Sequence, residues 1–352
     1  MQVVVPAGPG WVAAGASETS GQALTWTSPD GLSWTRDSGP AAIEGGEVDT
    51  LAITGHGLIV AGNDQGLWTS SDGTTWRHAL RAVEVDVVVA GPNAIVAFGT
   101  KASSGSSPIV LADDTFSLAA TPAKPVPPEP MATWISSDGQ TWQQLDPPAF
   151  RPVSANVPGS PGLKTYPSVD EAVSVAGGFV AAGSTQVTAI GQVDQRIWTS
   201  TDGRSWDRAT YAGGGGAVLA GTSTGLIFIE GPGQGPSDGV WTSPDGRSWS
   251  HVADPPELAD LGPTAAVAVP GGFLLAANLS GNPDDSLAEL LTSADGRAWT
   301  ALSAPTPPAP ATAWSGSSLS GVAAGPACIV AVGSWFAAPG EPRAGLAWVS
   351  CP

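Results

Sequence analysis

The sequence predicts an all-β chain folded as a seven-bladed β-propeller of four-stranded antiparallel blades, the last blade incomplete. Three observations predict it. A pattern Ser-x-Asp-Gly-x-x-Trp occurs six times, at residues 28–34, 70–76, 136–142, 200–206, 243–249 and 293–299. A short apolar run recurs seven times, at 11–15, 58–62, 95–99, 179–183, 226–231, 273–278 and 329–333. Between these landmarks the chain is cut into short pieces of alternating polarity by Gly and Pro, with no long 3.6-residue periodicity. Modules repeating every roughly 40–65 residues, each too small for a core of its own, bury their faces against one another, and antiparallel modules do so radially. We therefore expect one domain over residues 1–352.

Residues 172–210 show one unit. A first strand at 172–176, a Gly-Gly turn, a second strand at 179–184, a third at 196–200 and a fourth at 205–209 make an antiparallel meander. The Asp-Gly of the pattern makes the turn between strands three and four. In the copies at 28–34 and 243–249 Pro takes the place that a type I turn favours, and Gly follows where a left-handed residue is needed. The aspartates Asp30, Asp72, Asp138, Asp202, Asp245 and Asp295 are expected to accept backbone N–H groups of their own turns. The Trp closing each copy is expected to begin the fourth strand and pack on the blade. Five copies have a second Trp two residues ahead, at Trp26, Trp68, Trp134, Trp198 and Trp241, and the sixth has Leu291.

The pattern resembles the Asp-box, or bacterial neuraminidase repeat, of sialidases and many other extracellular propellers, in a variant one residue shorter than usual. The resemblance implies a propeller whose boxes are structural. It does not bring the sialidase active site with it. Those enzymes hold the substrate carboxylate with three arginines, the first in a Phe/Tyr-Arg-Ile-Pro motif, and use a Tyr/Glu nucleophilic pair and an Asp acid/base. No such motif occurs here, Arg204, Arg247 and Arg297 lie inside the turns, and Arg36, Arg77 and Arg208 follow the box tryptophans on outer strands. Tyr166 and Tyr211, the two tyrosines, show no recognisable partner glutamate in the sequence.

The seventh repeat keeps its third strand at 346–350 but shows no seventh pattern. Cys328 opens its second strand and Cys351 ends its third, places that adjoin in an antiparallel pair, so a disulfide is expected and with it an oxidising compartment. Residues 1–6 already read as a strand, and a leader or anchor outside this chain is expected for a secreted or cell-surface protein.

A formal charge of −18 with 13 scattered Lys and Arg argues against nucleic acid and anionic membranes as partners. No apolar run reaches the ~18 residues of a membrane span. His56, His78 and His251 stand alone, and no spacing suggests a metal, nucleotide or other cofactor. Asp284 and Asp285 read as solvated.

Function is expected on the face opposite the repeated turns, where the long connections lie: 100–132 within blade 3, and 147–171 between blades 3 and 4. Candidate ligand-binding residues there are Phe116, Tyr166, Tyr211, Trp314, Trp335, Asp113 and Asp114, with Phe150 and Phe336 among the other aromatics. Asp113, Asp114, Glu129, Asp170 and Glu171 could meet on that face as a carboxylate set. The expectation is a monomeric, non-catalytic module for a protein or glycan ligand, with a lectin-like role and a glycoside hydrolase as alternatives.

Overall fold

In a computed structural model the chain forms seven antiparallel sheets arranged in a ring. The structure describes all residues except 38–41, 102–128, 156–162, 188–191, 215–217, 231–238, 253–254, 280–287, 303–315, 337–342 and 352. Blade 1 is β1 (Val3–Ala7), β2 (Gly10–Ala16), β3 (Ala23–Ser28) and β4 (Thr35–Arg36). Blade 2 is β5 (Val48–Ile53), β6 (Ile59–Asn63), β7 (Gly66–Ser70) and β8 (Arg77–Arg81). Blade 3 is β9 (Val83–Ala90), β10 (Ile95–Lys101), β11 (Ala132–Ser136) and β12 (Gln143–Leu145). Blade 4 holds β13 (Val153–Ser154), β14 (Lys164–Val175), β15 (Gly178–Val187), β16 (Gln192–Ser200) and β17 (Asp207–Arg208). Blade 5 is β18 (Val218–Gly221), β19 (Leu226–Ile229), β20 (Val240–Ser243) and β21 (Ser250–Val252). Blade 6 is β22 (Leu261–Val269), β23 (Gly272–Leu279), β24 (Ala288–Ser293) and β25 (Thr300–Ala301), and blade 7 is β26 (Gly316–Ala324), β27 (Ile329–Phe336) and β28 (Ala344–Ser350).

Within each sheet the strands are hydrogen-bonded in chain order. The first strands of successive blades lie side by side, and β1 meets β26, so the ring closes around a central channel lined by first strands. The second strands form the dry middle layer. β6 is buried along its whole length, and Ile59, Val96, Val180, Ile227, Leu274 and Val330 are essentially inaccessible. Their hydrophobic clusters join side chains from two neighbouring blades, so burial holds blade to blade.

The repeated turn is built as the sequence implies. In the fourth copy the Gly203 N–H donates to Ser200 Oγ at 2.8 Å, and the N–H groups of Arg204 and Ser205 donate to Asp202 Oδ1 at 2.8 and 3.0 Å. Trp206 Nε1–H donates back to the Gly203 carbonyl at 3.2 Å. Gly203 has φ +73°, and a Cβ there would lie 2.6 Å from Val96 Cγ2 of the preceding blade. The glycine therefore supplies both the left-handed turn and room for the blade before it. Each Trp stands one residue ahead of the fourth strand instead of opening it, and those strands run for only two to five residues.

Two expectations are corrected. Blade 4 has five strands, and the span 147–171 is not one irregular loop. It contains a 3-10 turn at Pro148–Phe150, then β13, and from Lys164 onward it is strand β14. Pro167 hid that strand, since proline argues against a central strand position; here it is absorbed where β14 extends past its short partner β13.

Among the described residues blade 7 has three strands, and its corner is closed by the Cys328–Cys351 disulfide, with a Cα–Cα separation of 4.2 Å. Ser350 pairs with Ile329 as each motif serine pairs with the first residue of its second-strand core, for example Ser70 with Ile59. Where the other blades turn at this point, blade 7 is cross-linked.

Candidate functional site

The first strands carry a second repeat. In five of them the pairing with the second strand slips by one residue, leaving Asp49, Asp86, Asp170, Thr264 and Ser320 unpaired. These are β-bulges at one level of the ring, and a bulge re-aims the side chain it releases. All five line a single cavity of about 460 Å³ at the channel mouth, together with Gln2, Glu47 and Glu171. Glycines within three of the second strands make room for the bulges. A Cβ on Gly99, Gly183 or Gly333 would sit about 2 Å from the carbonyl oxygen of Glu84, Ser168 or Ser318.

The ring is chemically one-sided. Blades 2, 3 and 4 contribute Glu47, Asp49, Asp86, Asp170 and Glu171, while blades 1, 6 and 7 contribute the neutral Gln2, Thr264 and Ser320. Deeper in the channel the lining turns apolar, with Val5, Leu51, Ile53, Val89, Val173 and Val267 around a cavity of about 310 Å³. The aspartates are exposed to the channel, yet the surrounding ring takes part of the solvent from their charged forms, and neighbouring carboxylates repel one another. Burial and the neighbouring Glu47 push Asp49 up to about 6, and burial and Glu84 do the same to Asp86, also to about 6. Burial raises Asp170. Glu171 is pushed up to about 8 by burial and by the charge of Asp170. Near neutral pH the mouth therefore holds both carboxylic acids and carboxylates, an arrangement able to accept a cation or donate to a polar ligand.

The motif aspartates show the opposite electrostatics. The backbone N–H groups of Thr75 and Thr74 hold Asp72 down to about 2, and the equivalent bonds lower Asp30, Asp138, Asp202 and Asp245. Clefts of about 430 and 580 Å³ do open on the turn face. Their polar lining is largely the turns' own, whose hydrogen bonds are already made.

Of the sequence candidates, Phe116, Trp314, Asp113 and Asp114 lie outside the described residues. Tyr166 is half-buried on β14, opposite Gln186. Trp335 is on β27, half-buried against the blade 6–7 cluster. Phe150 and Phe336 are buried, Phe336 beneath the Arg343 guanidinium. From the carboxylate set, Asp170 and Glu171 meet at the channel mouth, while Glu129 is exposed at the end of its loop.

Tyr211 does have a glutamate partner that sequence reading missed. Its hydroxyl donates to Glu230 Oε1, which also accepts the Gly214 N–H at 2.9 Å. The ring stands edge-on to Trp241 and Phe228 in the cluster between blades 4 and 5. Burial and the bonded Glu230 push the phenol well above its ordinary range, so it keeps its proton. A nucleophilic tyrosine needs the reverse.

Sequence reading also missed the bulge ring. Its signal was present as Val48-Asp49, Val85-Asp86 and Val169-Asp170, a nearly constant distance ahead of each second strand. Among the described residues no group of three or more His, Cys, Asp or Glu side chains is arranged to hold a metal ion.

No protein-family model matches the sequence, and no curated protein sequence matches it either. Among solved structures the chain is similar to YCF48 from Cyanidioschyzon merolae, with 12% identity over 98% of this chain and 94% of that one and a TM-score of 0.53. It is also similar to the β-propeller domain of the Trilobed protease from Pyrococcus furiosus, with 10% identity, 99% and 93% coverage and a TM-score of 0.52. A sialidase from Trypanosoma rangeli overlays more loosely, with 12% identity, 99% and 54% coverage and a TM-score of 0.47. At these identities the likeness is one of fold: the chain is a β-propeller.

Proposed function

We propose that this propeller is a non-catalytic interaction module that works outside the cytoplasm and receives a cationic group of a protein partner at its channel mouth. One observation carries the reading. Five first strands spend a β-bulge at the same level to turn Asp49, Asp86, Asp170, Thr264 and Ser320 into one cavity. A channel serving only to close the ring has no need of carboxyl groups crowded at one level, whose charges repel one another. The cross-link at Cys328–Cys351 supports an oxidising compartment, as does the resemblance of the repeated turn to the Asp-box. The test is to probe a basic-peptide array and a glycan array side by side at physiological salt. Selective capture by Arg- or Lys-bearing peptides is expected, and selective glycan binding with no peptide binding would overturn the reading in favour of a lectin-like module.

A second reading has one observation in its favour. Asp170 and Glu171 line the same cavity, and glycoside hydrolysis requires two carboxyl groups at one site. Turnover of nitrophenyl glycosides that disappears in Glu171→Gln would establish it.

A further inference from the structure

In six blades the outer edge of the third strand is covered by the short strand after the repeated turn. Among the described residues nothing pairs with the outer edge of β28. The six covered blades show which groups that edge presents. The carbonyls of Thr25, Ile197 and Leu290 each accept a backbone N–H from the chain at the covering strand, from Asp37 at 2.9 Å, Ala209 at 2.8 Å and Leu302 at 2.7 Å. Each accepting residue directly precedes the lead-in position, Trp26, Trp198 or Leu291. In blade 7 that residue is Ala347, ahead of Trp348. In an antiparallel ladder a residue turns its N–H and C=O to the same side. Ala347 and Val349 therefore present both groups at the outer edge, while Trp348 bonds inward to β27. β28 reads Ala-Gly-Leu-Ala-Trp-Val-Ser, with none of the charges or prolines that usually protect an edge.

The covered blades also show what fits opposite the tryptophan. The residues paired with Trp26, Trp68, Trp134, Trp198 and Trp241 are Arg36, His78, Gln144, Arg208 and His251, every one a planar nitrogen-bearing side chain. Where Leu291 replaces Trp, the partner is Ala301. His78 stacks on Trp68 with ring centroids 4.0 Å apart, and His251 lies 5.1 Å from Trp241. Planar cationic groups favour the indole face. Trp348 is half-buried, as Trp26 is, whereas Trp68, Trp134, Trp198 and Trp241 are buried.

We propose that the outer edge of β28 is a docking site for an extended segment of a partner protein, which adds antiparallel to blade 7 and places an Arg or His opposite Trp348. The acidic chain, at a formal charge of −18, favours a basic segment. The Cys328–Cys351 cross-link fixes the end of this edge against the start of β27. Recognition is by main-chain ladder plus one side-chain contact, the mode of β-strand addition. This surface is separate from the channel mouth and does not depend on it.

The probe is a fluorescein-labelled peptide of residues 74–82, which contains β8, the longest internal covering strand, with His78 to set opposite Trp348. Fluorescence anisotropy should show saturable binding to the whole protein. Ala347→Pro removes one outward N–H and no bond to β27, so it should abolish binding without lowering Tm. A peptide carrying His78→Ala should bind about fivefold more weakly. In the triple variant Asp49→Asn, Asp86→Asn and Asp170→Asn, Ala347→Pro should remove as much of the peptide binding as it does in the wild-type background, which separates this edge from the channel. Hydrogen exchange on the wild-type protein is the second readout: the peptide should slow the amides of Ala347 and Val349 but not that of Trp348. No binding at millimolar peptide, binding unaffected by Ala347→Pro, or protection confined to other strands would overturn the proposal.

Discussion

Truncating Trp206 tests the claim that the repeated motif is a structural clamp between blades. The indole is 6% exposed. It is walled by Phe98, Phe150 and Phe179, with ring centroids at 5.4, 5.6 and 6.4 Å. Phe98 belongs to blade 3, Phe150 to the connection and Phe179 to blade 4, so three separate segments would have to move to fill the space. Replacing a buried Trp by Ala costs about 3–5 kcal/mol, and a site that cannot collapse lies at the upper end. The bond from Nε1 to the Gly203 carbonyl goes too, worth about 1 kcal/mol net. We expect Trp206→Ala to lose about 4–5 kcal/mol. With an unfolding entropy of about 2.1 cal/mol/K per residue over 352 residues, that lowers Tm by about 5–7 °C if the ring melts as one unit. Calorimetry with matched urea unfolding reads both quantities. Trp34, half-buried against blade 7, should cost about half as much on truncation. A Trp206→Ala protein melting within about 1 °C of wild type would refute the clamp.

Three further outcomes follow from the same structure. Gly246→Ala puts a Cβ 2.6 Å from Val180 Cγ2 at φ +76°, and left-handed strain plus overpacking should cost about 2–4 kcal/mol, read by urea unfolding. Replacing both Cys328 and Cys351 by Ala reopens a loop of separation 23, and should cost about 3 kcal/mol; thiol titration of the denatured, unreduced wild type should find no free thiol. The pH profile of Tm should bend at both ends. Asp72 has a depressed pKa, so its contribution is complete above the ordinary aspartate value and is lost as pH falls towards 2. Glu171 has a raised one: the folded state holds the extra proton, so stability falls as pH rises from about 4.5 to 8, and Glu171→Gln should flatten that limb.

The fold was legible because its signals are local. Each Asp-Gly turn is fixed by its own Ser, Asp, Gly and Trp, and six copies mark the outer half of six blades wherever the intervening loops vary. The inner half was harder. Asp49, Asp86 and Asp170 look like ordinary polar residues of alternating strands, and only the register slip against β6, β10 and β15 shows that they are released from the ladder. A register is a property of two strands and is not written in one. The Tyr211–Glu230 pair was hidden for the same reason, since its members stand on different elements and meet only when blades 4 and 5 pack. The strand at 164–171 was lost to Pro167, a local signal that the sheet overrides.

In the proposed function the first-strand carboxyls, and not the motif aspartates, form the binding site. The most direct measurement is calorimetric titration with an acetylated tri-arginine peptide at low and physiological salt. Three proteins are compared: the wild type, the triple variant Asp49→Asn, Asp86→Asn and Asp170→Asn, and the single variant Asp72→Asn. Saturable binding to the wild type is expected, weakening with salt, persisting in Asp72→Asn and lost in the triple variant with its fold intact. Equal binding by the triple variant, or none by the wild type, would contradict it.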